Sequence, residues 1–391
     1  MQQLTPTFSA WRVLQAGTRE IVDAIVAPEH RGPSPVLAQA LRQWKGAHYW
    51  PSRDHGHLIL IRETATGARR ERWLVHAFLM ALTVLCTLGA GAMLAGVWAP
   101  PGVLAYAGDV NLLGRVIYEI AAMVQGGAQF FLSMYTGDWR EVLAGWSFAA
   151  PLLGILLVHE LGHYFAARRY AIDTSPPFFL PIPPTISPIG SLGAFIRLRS
   201  PVLDRRQLLD VGAAGPLAGF VVALGVMLWG YLTSARVPIG IDTASTYVVF
   251  AGRTIALGDS LLTQGFRDLF FPAAQAVHLS LPAFAGWVGM FITGLNLLPL
   301  SQLDGGHVLY GLLGRWQSFM GLLTLVGLLV LAQYHWTWYV WVAVALMLGG
   351  GRVSHPSVMA PERPVPKSRH LIAWLCIIVF VLTFVPIPFQ V

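Results

Sequence analysis

The chain is poor in charge. Only 12% of its 391 residues are Asp, Glu, Lys or Arg, against about 25% in soluble domains. With 55% apolar residues and a mean hydropathy of +0.59, this excludes a disordered chain, a coiled coil and a collagen, and it argues against an ordinary soluble enzyme. Cysteine is scarce too. Cys86 and Cys376 are the only two and both lie in apolar stretches, which excludes a disulfide framework and a CxxC metal site within this chain. No repeated period points to a solenoid. Residues 1–72 have no uninterrupted apolar region and carry scattered acidic residues, which excludes a signal peptide there. They read as a small polar region, with a strand in the run His57–Arg62 and a turn at Thr66 and Gly67.

What is present is a series of long apolar runs. They predict spans at about Trp73–Trp98, Trp146–Tyr170, Leu208–Leu232 and Phe271–Leu300, a shorter pair at Phe319–Gln333 and Trp336–Leu348, and a last one at Leu371–Pro386. Each approaches the length that crosses a hydrocarbon core, although the short pair also fits a helical hairpin that crosses only in part. The fold class is therefore an all-α polytopic membrane protein with six or seven transmembrane helices. Val110–Tyr135 is apolar but carries Arg115, Glu119 and Gly126-Gly127. It reads as a re-entrant or surface segment, because a charged pair facing lipid is expensive.

The net charge of +7 is explained by topology better than by nucleic acid. With seven spans and the N-terminus inside, Arg115, Arg140, Arg236, Arg253 and Arg267 lie outside, and the other 21 of the 26 Lys and Arg lie inside. This bias follows the positive-inside rule, and it collapses if the segment at 110–135 spans. The expected organisation is a soluble cytoplasmic region at 1–72, a first span at 73–98, an external loop with the re-entrant segment at 99–145, a core with three spans at 146–314, and C-terminal spans at 315–391.

The chemistry sits in two places. His159-Glu160-Leu161-Gly162-His163 is an H-E-x-x-H turn inside an apolar helix. Positions i and i+4 share a face, so both imidazoles reach one ion, and a Glu beside the first His is placed to act as general base on water made acidic by zinc. The bland alternative, a polar helix end with satisfied side chains, is costly for three ionisable residues after Leu152–Val158. Two His leave zinc one protein ligand short. Asn296 to Gly306 (NLLPLSQLDGG) breaks the end of the fourth apolar run, and irregular backbone at that depth is tolerated only inside protein or beside a watery cavity. Asp304 is its carboxylate and the natural third ligand. The alternative for Asp304 is a surface cap of the next helix, since Asp-Gly is also a turn signal.

These motifs resemble the site-2 protease family of intramembrane zinc metalloproteases, through HExGH at His159–His163 and N-x-x-P-x-x-x-L-D-G-G at Asn296–Gly306. Gly215-Pro216-Leu217-Ala218-Gly219 looks like the family's Gly-rich third core helix. Gly190–Arg199 and Gln302–His307 look most like the plant plastid and bacterial branch without a PDZ domain, and the similarity runs from about Gly145 to Gly314. The resemblance implies one Zn2+ per chain held by His159, His163 and Asp304, with Glu160 activating water and Asn296 positioning the scissile peptide or its oxyanion. A buried Asn that only ties the broken helix together is the alternative for Asn296. The implied partners are a transmembrane protein substrate and the lipid bilayer, with neither nucleic acid nor a PDZ-mediated partner, since the loop from Thr233 to Phe270 is short for such a domain.

Pro176–Pro201 is too rich in Pro and Gly for one helix. It resembles the family's membrane-dipping hairpin, whose strand edge would pair with an unwound substrate; a plain interfacial loop is the alternative. Gly215, Gly219 and Gly225 would let the third span pack closely. His76, Glu119, His278 and His335 read as satisfied or interfacial side chains, and His307 as a neighbour of the metal rather than a ligand. The rival functions are a non-proteolytic binding protein or chaperone of the same fold, a transporter with broken helices, and another membrane H-E-x-x-H peptidase with a downstream Glu as third ligand. The expected location is a prokaryotic inner membrane with a cytoplasmic N-terminus.

Overall fold

The computed structural model describes residues 4–16, 19–51, 54–63, 71–98, 121, 124–125, 127–132, 139–237, 246–271 and 276–390. The chain opens with strands β1 (Phe8–Ala16) and β2 (Arg19–Val26), helix α1 (Pro35–Arg42), and strands β3 (Ala47–Tyr49) and β4 (His57–Glu63). They form an antiparallel sheet in the order β1-β2-β4-β3. Alternating residues point to opposite faces. Val22, Ala24 and Val26 meet Leu58 and Leu60 beneath Leu37 and Ala40 of α1. Ile21 and Ile59 point the other way and pack on Met359 and Ala360. Ser34 starts α1 by accepting the Leu37 N–H, with Pro35 at the first helical position. The run read as a strand at His57–Arg62 is β4; Thr66 and Gly67 lie outside the described residues.

The apolar part follows. Helices α2 (Trp73–Leu94), α3 (Trp139–Leu143) and α4 (Trp146–Arg169) lead to a hairpin of β5 (Phe178–Pro181) and β6 (Ser191–Phe195). Next come α5 (Arg205–Leu232), strands β7 (Ala235–Val237), β8 (Thr246–Phe250) and β9 (Arg253–Leu257), helix α6 (Leu261–Phe270), strand β10 (Ala276–His278) and helix α7 (Leu281–Asn296). The chain continues through α8 (Asp304–Leu313), α9 (Gln317–Tyr334), α10 (Thr337–Leu348) and α11 (Lys367–Thr383) to β11 (Phe389–Gln390). Among the described residues, four helical runs are long and apolar enough to cross a membrane: α2, α4, α5 and the 31-residue run Asp304–Tyr334. The last passes through a single 3-10 turn at Gly314–Trp316.

Three expectations need correction. The run Phe271–Leu300 is helical only over the 16 residues of α7, about 24 Å of helix. Ala276–His278 is taken into a sheet by β7 and β8, and Ser280 caps the helix one residue before Leu281 and Pro282. Asp304 does not trail the fourth span; it opens the helix after it. The chain is also richer in strand than an all-α reading allows. Beyond the N-terminal sheet there is a five-stranded sheet, β11-β9-β8-β10-β7, and the β5-β6 hairpin. Several of these strands are three residues long or shorter, too short for periodicity to reveal. The re-entrant reading of Val110–Tyr135 lies for the most part outside the described residues.

Small residues hold the central helices together, as expected where packing rather than hydrophobicity separates helix from lipid. A Cβ at Gly162 of α4 would lie 2.5 Å from the Ala214 carbonyl oxygen of α5. One at Gly286 of α7 would lie 2.9 Å from the Met227 Cα of α5, and one at Gly289 2.9 Å from Ile155 of α4. Tyr231, Phe284 and Trp287 fill the core above these contacts.

The hairpin is fastened to α2. Gly190, at a φ of +73°, turns with no room for a Cβ beside the Cys86 carbonyl. The His76 Nδ1 and the Pro177 carbonyl oxygen are 3.1 Å apart, and Phe178 lies between the rings of His76 and Phe195. Arg199 grips both carboxylate oxygens of Glu71. This grip holds the Glu71 carboxyl below its ordinary range, overcoming the opposite pull of burial. A depressed native pKa contributes stability above the unfolded value near 4.3 and loses it as pH falls through the native one. Normalised amide exchange of 178–195 is therefore expected to be slow at neutral pH and to rise below about pH 4. Arg199→Ala should exchange faster at neutral pH and lose most of that pH dependence. An unchanged profile in Arg199→Ala would show that the ion pair does not hold the hairpin.

Candidate metal centre

Helix α4 brings two imidazoles to one face. His159 and His163 are four residues apart, both are buried, and their Nε2 atoms lie 3.2 Å from each other. Asp304, on the first turn of α8, faces them. Its Oδ2 is 3.2 Å from the His159 Nε2 and its Oδ1 is 3.2 Å from the His163 Nε2. Each of the three offers one ligand atom within 4.8 Å of the others. Ligand atoms around tetrahedral zinc with bonds of about 2.0–2.1 Å are about 3.3 Å apart, close to the nearest separations here, in which each His meets a different oxygen of Asp304.

The backbone supplies a further argument. His163 Nδ1 is 2.7 Å from the Val211 carbonyl oxygen. A carbonyl only accepts, so Nδ1 carries a proton and Nε2 is the nitrogen turned toward His159 and Asp304. Two imidazole nitrogens and a carboxylate converge on one buried point, where a cation can stand between them in place of the His–Asp contacts. The donor set, two His nitrogens and one carboxylate oxygen with room for a fourth ligand, is that of catalytic zinc sites. The three residues therefore fit a zinc ion.

Small residues of α5 make the cluster possible. A Cβ on Gly215 would collide with the His163 ring at Nε2. One on Gly219 would lie 3.0 Å from the His159 Cβ, and one on Gly212 2.6 Å from the His307 Cβ. Gly225 meets nothing within 4 Å among the described residues, so the expected packing role is seen for Gly215 and Gly219 and not for Gly225. The motif glycines after Asp304 have the same logic. A Cβ on Gly305 or Gly306 would strike the carbonyl oxygens of Leu297 or Ser301, which lie in the turn that brings α8 back against the end of α7.

The remaining residues singled out by sequence divide into near and far. Glu160 is buried beside its two neighbours and faces the backbone of Ile196, just past β6. The Asn296 Nδ2 lies 3.4 Å from the His159 Nε2, which brings the end of α7 to the cluster. His307 points elsewhere, with its Nδ1 2.7 Å from the Nε2 of His355. His278 stacks on Tyr247. Glu119 is outside the described residues. Sequence reasoning missed the Val211 carbonyl and His355. The first is a backbone group without a side-chain signal, and the second lies 48 residues from its partner.

Residues 147–332 match the profile of Peptidase family M50. The resemblance drawn from the two motifs is thus borne out over the segment that carries them. The M50 segment is also similar to plant proteins. "Probable zinc metalloprotease EGY2, chloroplastic" of Arabidopsis thaliana is 31% identical over 257 residues, covering 64% of this chain and 43% of that protein. The protein of that name from Oryza sativa subsp. indica is 30% identical over 264 residues, 65% of this chain and 45% of its own. "Probable zinc metalloprotease EGY1, chloroplastic" of Oryza sativa subsp. japonica is 36% identical over 191 residues, 47% and 31% respectively. The chain spans less than half the length of these curated relatives. No solved structure matches.

The glycine contacts give a direct test of the metal-centre geometry. Gly215→Ala is expected to weaken zinc retention by at least tenfold, the lower end of what disturbing a ligand's surroundings costs, because His163 must leave its place. Gly225→Ala should match the wild type. Both are read by chelator competition on purified protein. Equal retention by the two variants would mean that the close approach of α5 does not set the position of His163.

Proposed function

We propose that the chain is an intramembrane zinc metalloendopeptidase that hydrolyses a peptide bond within or near a transmembrane segment of another membrane protein, as in regulated intramembrane proteolysis. The observation that carries this reading is the convergence of His159, His163 and Asp304, with one ligand atom of each within 4.8 Å of the others, and Glu160 beside them. The names of the plant relatives support the same chemistry.

His159, His163 and Asp304 would hold the zinc, which supplies a Lewis acid that polarises a carbonyl and acidifies water. Glu160 is then the proton carrier: its carboxylate takes a proton from the attacking water and delivers it to the nitrogen of the departing amine. Asn296, with an amide at the His159 edge of the cluster, would orient the scissile peptide or bind its oxyanion. The β5-β6 hairpin would present the substrate. β6 is bonded to β5 on one side, Leu192 and Phe195 are exposed, and the backbone of Ile196 at its end faces Glu160. A strand edge there can hold an unwound segment beside the base.

The proposed organisation keeps 1–72 as a soluble cytoplasmic region, 146–314 as the protease core and 315–391 as C-terminal spans. The inward side is chosen by the bias in Lys and Arg alone. A prokaryotic inner membrane is the proposed location; the similar plant proteins carry chloroplastic in their names.

Metal content and turnover separate the proposed roles. The wild type in detergent should retain about one zinc per chain, and His163→Ala and Asp304→Ala should lose it. Glu160→Gln should keep the zinc and cleave a membrane-embedded peptide at least about 100-fold more slowly, the lower range for loss of a general base. Wild-type cleavage by Glu160→Gln would overturn the role of Glu160. Firm zinc retention by Asp304→Ala would overturn the ligand set and favour a different third ligand.

A further inference from the structure

Gln317 opens α9, has no accessible surface and spends every polar group on bonds outside its own helix. Its Nε2 donates to the Pro299 carbonyl oxygen at 3.1 Å and to the Val353 carbonyl oxygen at 3.2 Å, and its Oε1 accepts the His355 N–H at 2.8 Å. The Ser301 N–H closes the ring by donating to the same Val353 carbonyl at 2.9 Å. One buried amide thus joins the break between α7 and α8 to the loop that follows α10.

That break leads into Asp304, and its other backbone bonds are short-range turns at Leu298, Leu300 and Leu303. Residues 297–303 form neither helix nor strand, so the carbonyls that local turns do not use, such as that of Pro299, need outside partners. Ser301 adopts a φ of +38°, a left-handed conformation that side chains other than Gly occupy at a cost, and α8 begins without a side-chain cap. The neighbours leave no slack around the buckle. A Cβ on Gly321, one turn along α9, would lie 2.7 Å from Val353 and 3.1 Å from the Pro299 carbonyl oxygen. A buried amide with all partners made is a strong constraint, because removing it strands polar groups on each side.

We propose that Gln317 is a positioning residue for the metal centre: it fixes the turn at Pro299–Ser301 and so the distance between Asp304 and the two His of α4. The inference rests on the reading of Asp304 as a ligand. Gln317 touches no reacting atom, and nothing in the sequence motifs includes it.

The test uses the full-length protein in detergent, with zinc affinity measured by chelator competition and the ligand field read from the d–d absorption of the cobalt-loaded form. Gln317→Ala is expected to weaken zinc binding by at least tenfold, as loss of a ligand's support does, and to shift or weaken the cobalt bands. Gln317→Glu keeps the acceptor for His355 and, protonated in this buried place, offers one donor in place of two, so it guards against the case in which the alanine variant does not fold and should show the same change in smaller degree. Gln333→Ala, an exposed Gln on the same helix, should leave both readouts at wild-type values. Wild-type affinity and spectrum in Gln317→Ala and Gln317→Glu, with Asp304→Ala still losing metal, would overturn the proposal and leave the metal centre standing. Equal metal binding by the wild type and Asp304→Ala would remove the ligand reading and this proposal with it.

Discussion

Two imidazoles and a carboxylate crowded together inside an apolar bundle are the constraint that the rest of the structure serves. Each group is expensive to bury without a partner, and the three lie within one hydrogen-bond length of one another. Everything around them reduces that cost or fixes their aim. The Val211 carbonyl settles which nitrogen of His163 faces inward. The glycines of α5 let its backbone approach the two rings, so that the site is walled by a helix without needing side chains there. The cluster is built from α4 and α8, while α5 serves as the thin wall behind it.

The same economy shapes the two irregular segments. The hairpin β5-β6 and the break at 297–303 are the places beside the metal centre where regular helix stops. Each is anchored by groups remote in sequence: Glu71, His76 and the α2 backbone for the hairpin, and Gln317 with the 353–355 loop for the break. Irregular backbone at membrane depth must find its hydrogen bonds in protein, and these long-range ties provide them. The loop after α10 also continues to Met359 and Ala360, which pack on Ile21 and Ile59. The N-terminal sheet and the Asp304 break therefore lean on one segment of chain.

Much of this was legible in the residues. The i and i+4 spacing of His159 and His163 needs only a helix to bring both to one ion, and the apolar run before them supplies it. The proposed third ligand was readable because Asp304 is a carboxylate in a broken apolar run. Its place was misjudged: a motif rich in Gly and Pro looks like the end of a span, whereas Gly305 and Gly306 serve close approach of the turn to the start of α8. The longest spans fell within a few residues of their helices, since twenty apolar residues leave little else to form. The short strands and α7 did not, because three-residue strands carry no period, and apolar composition cannot tell the sixteen residues of a helix from the strand before it. Gly225 shows the limit of reading small residues as packing contacts, for nothing among the described residues stands opposite it. Support by Val211 and Gln317 was invisible, being respectively a backbone carbonyl and an amide whose partners lie 18 to 38 residues away.

The central claim is that these three side chains hold one ion together. X-ray absorption at the zinc edge of the purified, zinc-loaded chain tests it without any substrate. The account predicts a first shell of about four N and O atoms near 2.0–2.1 Å, with the multiple-scattering pattern of two imidazoles and no sulfur contribution. A single imidazole, a thiolate at about 2.3 Å or a six-oxygen shell would contradict it.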